Sequence, residues 1–261
     1  GVVGAVTPWN YPMMMATWKI GPALAAGNTL VIKPSDTTPA STVRMGELFA
    51  EILPPGVLNV VCGDRSTGAA LAAHRIPAMV AITGSTAAGR AVAAATAKNV
   101  ARAHLELGGN APVVVFDDAD VAAAAEAIAV AGFFNAGQDC TAATRVIASR
   151  AVADELAAAL AEQAQAVRFS RDEEPDSEDL YIPPINNADQ LAKVAGLVDR
   201  LPAHARVLTG GSAAGGAGYF YAPTVVAGVQ QDDEIARNEI FGPVITVQTF
   251  ADEAEALELA N

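Results

Sequence analysis

Residues 79–107, MVAITGSTAAGRAVAAATAKNVARAHLEL, contain one complete strand–helix–strand unit, and this unit decides the fold class. The apolar run at 79–82 predicts a strand. The small-residue turn at 84–89 leads into an alanine-rich stretch, 86–98, that favours a helix. A second strand is predicted at 104–107. Strands joined by a helix in this way lie parallel in one sheet, so the unit predicts an α/β fold.

The same alternation extends in both directions from this unit. On the N-terminal side the predicted elements are strands at 1–6, 29–32 and 57–61 and helices at 38–52 and 66–74. On the C-terminal side they are strands at 112–116 and 145–148, a helix that ends near 134 and another at 152–167. Residues 170–179 predict a charged surface loop, and the glycine-rich residues 210–216 predict a flexible loop between strands.

The glycine pair at 108–109 separates two such series of elements and predicts a domain boundary. We therefore expect a first α/β domain at 1–108 and a second at 109–261. Active sites often form at such a junction, which makes residues on both sides of it candidates. The stretch 38–52 carries apolar residues at helical spacing, with Val43, Leu48 and Ile52 on roughly one face, and this pattern predicts a helix.

Composition narrows the classes of protein to which the chain can belong. Its 261 residues include 29 acidic and 16 basic ones, and the formal charge of −13 disfavours nucleic acid and anionic membranes as partners. Two cysteines favour a reducing, cytoplasmic location over a disulfide framework. The three histidines lack metal-ligand spacing, so we expect no metal. The chain begins without methionine and ends in a predicted helix, so we expect an internal piece of a longer protein.

Two short segments carry the residues best suited to covalent chemistry. Residues 137–141 (GQDCT) place Cys140 in a loop after a helix, and residues 106–109 (ELGG) place Glu106 at the end of a strand. A thiolate can add to a carbonyl, and a carboxylate can activate the water that hydrolyses the resulting thioester. The alternatives are a buried structural thiol and a solvated strand end. Cys62, at the end of an apolar run, is expected to pack in the core.

Together with residues 7–12 (TPWNYP) and 239–243 (EIFGP), these segments resemble the aldehyde dehydrogenase superfamily. The resemblance implies a Rossmann-like cofactor domain followed by a catalytic α/β domain, both incomplete, with residues 1–8 as a strand of the oligomerisation hairpin. It implies oxidation of a small-molecule aldehyde through a Cys140 thioester, an oxyanion donor at Asn10, and a homo-oligomeric parent protein. Glu106, as the water-activating base, favours hydrolysis to the acid over acyl transfer to coenzyme A.

The resemblance also implies a nicotinamide cofactor, although the chain contains no GxGxxG fingerprint. We expect NAD, with NADP possible, because Asp36 replaces a common glutamate and a retained carboxylate would repel a 2′-phosphate. The turn before the helix at 86–98 offers backbone N–H groups to pyrophosphate, although it could be an ordinary tight turn. The candidate cofactor ligands are Lys33, Ser35, Asp36, Gly84, Ser85, Gly89, Glu239 and Phe241, of which Phe241 could instead be core.

The candidate substrate pocket combines aromatic side chains with one carboxylate. Its members are Tyr11, Met15, Trp18, Phe134 and Asp139, and the spacing of Met15 and Trp18 also fits a helix core. Residues 135–143 resemble most closely the 4-aminobutanal dehydrogenase branch, which implies an ω-amino-aldehyde held partly by cation–π contacts. Asn110, by contrast, replaces the lysine that is common in the amino-aldehyde branch and resembles succinate semialdehyde dehydrogenases, which implies succinate semialdehyde as the alternative substrate. A general aliphatic aldehyde dehydrogenase and a catalytically silent fragment that binds nucleotide or a partner subunit stay as alternatives.

Overall fold

Two five-stranded sheets flanked by helices make up the structure, a computed structural model that describes residues 1–169, 182–216 and 218–261. The sheets belong to two units, Gly1–Gly108 and Gly109–Asn261, which meet in sequence at the glycine pair. Parallel strands alternating with helices confirm the predicted α/β class. The predicted charged loop at 170–179 lies outside the described residues.

The first unit alternates strands and helices along its whole length. Its strands are β1 (Val2–Val6), β2 (Thr29–Lys33), β3 (Leu58–Val60), β4 (Met79–Gly84) and β5 (Arg102–Leu107). Its helices are α1 (Pro12–Ala25), α2 (Ala40–Ala50), α3 (Arg65–Ala73) and α4 (Thr86–Ala97). All neighbouring strands pair in parallel in the order β3-β2-β1-β4-β5.

Strand β1 lies at the centre of this sheet, paired in parallel with β2 on one side and β4 on the other. The prediction that residues 1–8 form a strand of an oligomerisation hairpin is therefore wrong, because hairpin strands pair antiparallel. Ala5 belongs to the core formed with α1 and α2, whereas Val6 packs on the core formed with α3 and α4. From β1 the chain continues to β2 and β3 on one side of the sheet and then to β4 and β5 on the other. The strand order therefore reverses between β1 and β4, which is a topological switch point, where α/β sheets bind ligands.

Helix α2 packs on the core through residues other than Leu48 and Ile52. Met45 and Phe49 pack against the core of β2 and α1, and Thr42 is buried. Leu48 and Ile52 are 47% and 76% exposed. Apolar residues occur on both sides of this helix, so its contact with the sheet, and not its own sequence pattern, determines which side is buried.

The second unit also contains a mainly parallel sheet. Its strands are β6 (Pro112–Val115), β7 (Arg145–Ser149), β8 (Arg206–Thr209), β9 (Thr224–Ala227) and β10 (Val244–Phe250). Its helices are α5 (Val121–Phe133), α6 (Ala153–Ala166), α7 (Ala188–Asp199), α8 (Glu234–Arg237) and α9 (Glu253–Ala260), and a 3-10 turn spans Phe134–Gly137. The order is β6-β7-β10-β9-β8, and β8 pairs antiparallel with β9.

The sheet of the second unit is buried on both faces. Ile245 and Val247 of β10 pack in the cluster that contains α5 and α6. Val244 packs in the opposite cluster, which contains α7 and α8. A strand covered on both sides is buried at successive positions, and the polar residues Thr246 and Gln248 of β10 are buried too: each is 1% exposed, and they are hydrogen-bonded to Thr144 and Arg145, respectively.

Tyr221 is a buried titratable group in the cluster of α7 and α8. Its side chain is 2% exposed, and its hydroxyl has no hydrogen-bond partner among the described residues. Burial, and secondarily the charge of Asp199, raises the pKa of Tyr221 to about 12. The phenol of the unfolded chain ionises near pH 10. Between these values only the unfolded chain ionises, so the contribution to stability is complete below pH 10 and is lost as the pH rises towards 12.

We expect the free energy of unfolding to fall by at most about 3 kcal/mol on this account between pH 10 and pH 12. Tyr221→Phe should show a shallower fall and, at pH 8, a stability equal to the wild type or about 1 kcal/mol higher, because an unpaired hydroxyl is removed. Urea unfolding at both pH values measures this effect. Tyr219→Phe, at a 41% exposed position, is the control. An unchanged fall in Tyr221→Phe would contradict the assignment.

Candidate functional site

Four candidate residues of the first unit lie where parallel strands end. Asn10 is half-buried in the bend between β1 and α1, and Lys33 is the last residue of β2. Ser85 follows β4, and Glu106 is the penultimate residue of β5. The carboxyl ends of parallel strands share one edge of a sheet, so the fold brings these four positions to the same edge. This edge includes the switch point between β1 and β4, where a ligand crevice is expected.

The loop after β2 carries the candidate ribose ligands. Lys33 and Ser35 are buried, at 6% and 7% exposure, whereas Asp36 is exposed. The Ser35 hydroxyl lies 3.3 Å from Asp36 Oδ1 and 3.2 Å from Thr37 Oγ1. The loop therefore carries an ammonium group at Lys33 and a carboxylate at Asp36, three positions later, and these groups can donate and accept hydrogen bonds with a diol.

The turn between β4 and α4 forms a helix start with free backbone donors. Ser85 is the N-cap of α4, and its Oγ accepts a hydrogen bond from the Ala88 N–H at 3.2 Å. A Cβ added at Gly89 would lie 2.4 Å from the Leu107 side chain, so glycine permits the close approach of α4 to β5. At Gly84 the nearest contact would be an ordinary 3.8 Å. The start of α4 is suited to an anion such as a phosphate.

Glu106 is flanked by two basic groups of its own unit. His104, two positions earlier on the same face of β5, places Nε2 3.4 Å from Glu106 Oε1, and both side chains are about half exposed. Lys19 of α1 is buried. Burial lowers the pKa of Lys19, and the charge of Glu106 opposes this shift. The Glu106 carboxylate is therefore partly exposed, lies beside the His104 imidazole and interacts electrostatically with the buried Lys19 ammonium.

Helix α1 carries three of the predicted substrate-pocket residues in different environments. Tyr11, the N-cap position, is half-buried, and Trp18 is 60% exposed. Met15 is 4% exposed, which fits the core interpretation of its helical spacing better than the pocket interpretation. The aromatic pair therefore stays a candidate for contacts with a ligand.

The two cysteines lie in contrasting environments. Cys62 follows β3 and is exposed, so the prediction that it packs in the core is wrong; the strand ends two residues earlier. Cys140 is half-buried and lies beyond the turn that follows α5. A thiol that is held by the surrounding chain and still partly accessible is suited to act as a nucleophile.

The segment before Cys140 has an unusual backbone. Asn135, Ala136 and Gly137 have φ values of 51°, 55° and 67°, which form a left-handed turn. Such a conformation costs of order 1 kcal/mol or more at a non-glycine residue and persists only when its surroundings impose it. At Gly137 a Cβ would lie 2.1 Å from the Gly242 carbonyl oxygen, so the loop of Cys140 packs backbone to backbone against the loop of Gly242.

Asp139 folds the backbone around the candidate nucleophile. Its Oδ1 accepts hydrogen bonds from the Thr141 N–H and the Thr141 hydroxyl, each at 2.8 Å. These bonds join the residue before Cys140 to the residue after it, so the backbone around Cys140 forms a tight turn. The Asp139 carboxylate therefore has a local structural role in addition to the amine-binding role predicted for it.

The loop that packs on this turn carries Glu239 and Phe241. Glu239 Oε1 is buried and has no hydrogen-bond partner among the described residues. Burial raises the pKa of Glu239, whereas the charge of Lys193 and the Gly109 N–H act in the opposite direction. A buried carboxylate oxygen without a donor is costly in the folded protein and is explained if a ligand supplies the missing donor.

Helix α7 holds this loop through two side chains. Gln190 Nε2 donates to the carbonyl oxygens of Ile240 and Phe241 at 3.0 and 2.9 Å. Lys193 Nζ donates to the Glu239 carbonyl oxygen at 2.6 Å, and burial lowers the pKa of Lys193. Phe241 has a φ of 57°. The amide and ammonium groups thus fix a strained backbone next to the turn of Cys140.

Phe134, the remaining pocket candidate, begins the turn before Cys140 and is 58% exposed. Phe241 is half-buried. Single exposed aromatic rings are common on protein surfaces, so Phe134 stays a pocket candidate on the resemblance alone.

The sequence did not predict the part that several other residues take in these sites. The alternation of side chains along β5 could have indicated His104, which lies two positions before Glu106. Lys19, Gln138, Gln190 and Lys193 offer no comparable signal, because their partners lie on other elements.

The described residues contain neither a candidate metal-ion cluster nor a candidate membrane-spanning helix. No group of three or more histidine, cysteine, aspartate or glutamate side chains in 1–169, 182–216 and 218–261 could hold a metal ion. Within the same ranges, no helix is both long and apolar enough to cross a bilayer.

Comparison with known proteins relates this arrangement to one family. The model of the aldehyde dehydrogenase family matches residues 1–261. An aldehyde dehydrogenase of Emericella nidulans is 42% identical over 265 residues, which cover 100% of this chain and 53% of the relative. The structure of lactaldehyde dehydrogenase from Escherichia coli matches with a TM-score of 0.95 at 40% identity, over 100% of this chain and 55% of that one.

A second solved structure adds a bound ligand to the comparison. Betaine aldehyde dehydrogenase from Staphylococcus aureus, in complex with NAD+, matches with a TM-score of 0.94 at 36% identity. The match covers 100% of this chain and 52% of that one. The chain thus spans about half the length of the relatives that it matches.

Proposed function

Since this chain belongs to the aldehyde dehydrogenase family, we propose that the protein oxidises an aldehyde to the carboxylic acid through a thioester on Cys140. The observation that carries the proposal is the held, partly accessible thiol of Cys140 at the end of a left-handed turn. Strain of this kind is characteristic of functional sites. The strained backbone before Cys140 therefore supports the proposal independently of the family match.

The proposed reaction begins and ends at Cys140. Its thiolate adds to the aldehyde carbon, which forms a C–S bond and moves the carbonyl electron pair onto oxygen. The Asn10 amide and the Cys140 N–H donate hydrogen bonds to this oxyanion, and one such donor contributes about 3 to 4 kcal/mol. After the carbon has been oxidised, Glu106 accepts a proton from water, the hydroxide attacks the thioester, and the C–S bond breaks to release the acid and the thiolate.

The residues present fit a nicotinamide dinucleotide. The start of α4 suits the pyrophosphate, Lys33 and Asp36 suit a ribose diol, and the unpaired Glu239 Oε1 suits a second ribose hydroxyl. Held by these residues, an oxidised nicotinamide would supply the hydride acceptor that conversion of the Cys140 adduct into a thioester requires. We favour NAD over NADP, because the Asp36 carboxylate would repel a 2′-phosphate.

We propose a cationic ω-amino-aldehyde, such as 4-aminobutanal, as the substrate. Tyr11 and Trp18 supply aromatic faces for a cation, and Asp139 supplies a carboxylate beside Cys140. The relative from Staphylococcus aureus is a betaine aldehyde dehydrogenase; betaine aldehyde bears a quaternary ammonium group, which supports a cationic aldehyde. Succinate semialdehyde is less well supported, since Asn110 Nδ2 donates to the Ala236 and Asn238 carbonyl oxygens at 2.8 and 3.3 Å and so has a structural role.

Reduced-nicotinamide formation by the complete protein tests this proposal. The aldehydes are 4-aminobutanal, betaine aldehyde, succinate semialdehyde and butanal, each with NAD and with NADP. The highest kcat/KM is expected with 4-aminobutanal and NAD. A preference for succinate semialdehyde would overturn the substrate and keep the mechanism. Absence of turnover with every pair, together with retained NAD binding, would favour a silent nucleotide-binding protein.

Sedimentation of the same sample tests the homo-oligomer that the resemblance implies.

Asp139→Asn separates the amine-binding role from the structural one. Asparagine retains the Oδ1 acceptor for Thr141 and removes the charge. We expect KM for 4-aminobutanal to rise about fivefold, the effect of a partly solvated ion pair of about 1 kcal/mol, with KM for butanal within about twofold of wild type. Steady-state kinetics with both aldehydes measure this difference. Equal losses for both aldehydes, as expected of Asp139→Ala, would contradict amine recognition by the charge.

A further inference from the structure

Gln138 is a buried amide whose polar atoms are all used. It precedes Cys140 by two positions and is 3% exposed. Its Nε2 donates to the carbonyl oxygens of Asn135 and Pro184 at 3.0 and 3.3 Å. Its Oε1 accepts from the Asn186 N–H at 2.8 Å. One side chain therefore joins the turn of Cys140 to a segment more than forty positions away in the sequence.

The turn before Cys140 depends on such a connection. Asn135 and Ala136 have positive φ values, a conformation that surrounding contacts must impose. Asn135 and Gln138 also bond to each other through their backbones and side chains, since Gln138 N donates to Asn135 O at 3.2 Å and Asn135 Nδ2 donates to Gln138 O at 3.3 Å. These reciprocal bonds close the turn, and the Gln138 side chain attaches the closed turn to the rest of the unit.

The segment that contains Pro184 and Asn186, to which Gln138 is bonded, is itself connected to the loop of Glu239. Asn187, the residue after Asn186, is the N-cap of α7 and accepts a hydrogen bond from the Gln190 N–H at 2.9 Å. The Gln190 side chain in turn donates to the Ile240 and Phe241 carbonyl oxygens. Hydrogen bonds, together with the covalent links within Asn186–Asn187 and Gln190, thus connect the turn of Cys140 to the loop that carries Glu239.

We propose that Gln138 is a positioning residue, which sets the orientation of the Cys140 thiol relative to the loop of Glu239. The proposal rests on the function proposed above, with Cys140 as nucleophile. Gln138 itself does not react. Attack on a carbonyl requires the sulfur at a defined distance and angle, and a displacement of about 1 Å can lower the rate by about a hundredfold.

Gln138→Met tests the proposal because methionine retains the length of the side chain and removes all three hydrogen bonds. We expect kcat to fall by about 10- to 100-fold, with KM for NAD within about threefold of wild type. The matched control is Gln165→Met, at an exposed position of α6, which should retain wild-type kinetics. Thermal unfolding midpoints show whether each variant is folded. A folded Gln138→Met variant with kcat within twofold of wild type would overturn the proposal.

Alkylation by iodoacetamide provides a readout that does not require turnover. In a Cys62→Ser background, Gln138→Met should change the alkylation rate of Cys140 by at least about threefold, since the orientation and surroundings of the thiol are no longer held. In a Cys140→Ser background, the alkylation rate of Cys62 should stay the same. An unchanged Cys140 rate would contradict positioning. A changed rate in a protein that oxidises no aldehyde would overturn the proposed function alone.

Gln138→Asn keeps the proposal testable if Gln138→Met does not fold. Asparagine is one methylene shorter and cannot reach Pro184 and Asn186 together from the same backbone position. An intermediate loss of kcat, with the unfolding midpoint retained, is expected. Wild-type kcat and wild-type Cys140 alkylation in Gln138→Asn would overturn the proposal.

Discussion

Cys140→Ala is expected to lower kcat for aldehyde oxidation by at least about 10⁴-fold, the scale seen when a catalytic nucleophile is removed. Without the thiol no C–S bond can form, so neither the thioester nor the reduced nicotinamide is produced. Absorbance of the reduced nicotinamide under saturating aldehyde and NAD measures the rate. The substitution removes only one sulfur atom from a half-buried position, so the unfolding midpoint should change little.

Cys62→Ala is the matched control, since it removes the other thiol of the chain at an exposed position. It should keep wild-type kcat and KM. Equal losses in both variants would indicate damage to the fold. Substantial turnover in Cys140→Ala, or loss of turnover in Cys62→Ala alone, would show that the nucleophile has been assigned to the wrong residue.

Glu106→Gln is expected to separate the two halves of the reaction. Steady-state turnover should fall by about 10²- to 10⁴-fold, because an amide cannot accept a proton from the attacking water. Acylation of Cys140 does not need this base. A burst of one reduced nicotinamide per Cys140 should therefore remain, and a thioester should accumulate. Stopped-flow absorbance measures the burst, and intact mass spectrometry detects the acyl group on Cys140.

Glu126→Gln, at an exposed position of α5, is the charge-matched control and should show no burst above the wild-type pattern. Loss of both the burst and the steady-state rate in Glu106→Gln would place the defect before the thioester. Wild-type turnover in that variant would exclude Glu106 as the base, and His104, 3.4 Å from its carboxylate, would be the next group to test.

Local patterns in the sequence were sufficient to predict most elements of the first unit. The strand–helix–strand unit at 79–107 appears as β4, α4 and β5, with bounds that differ by at most a few residues. The small-residue turn before α4 was also predicted correctly in position. These features depend on backbone propensity and periodicity, which neighbouring residues alone specify.

Predictions that required knowledge of a partner element failed or remained open. The place of β1 at the centre of a sheet depends on β2 and β4, which follow it by more than twenty and seventy positions. The buried face of α2 depends on the core that it meets. The hydrogen bonds of Gln138 depend on Pro184 and Asn186. Periodicity within one segment contains no information on these partners.

The sequence by itself determined the α/β class and the residue types suited to thiol and carboxylate chemistry, because these follow from local composition and from motifs that span a few residues. Only the tertiary structure decided that Asn10, Lys33, Ser85 and Glu106 lie at strand ends of one sheet, and that the turn of Cys140 packs against the loop of Gly242. It also decided that one oxygen of Glu239 is buried with no donor among the residues that the structure describes. Such features depend on distances between atoms remote in sequence, which are set only when the sheets and helices pack.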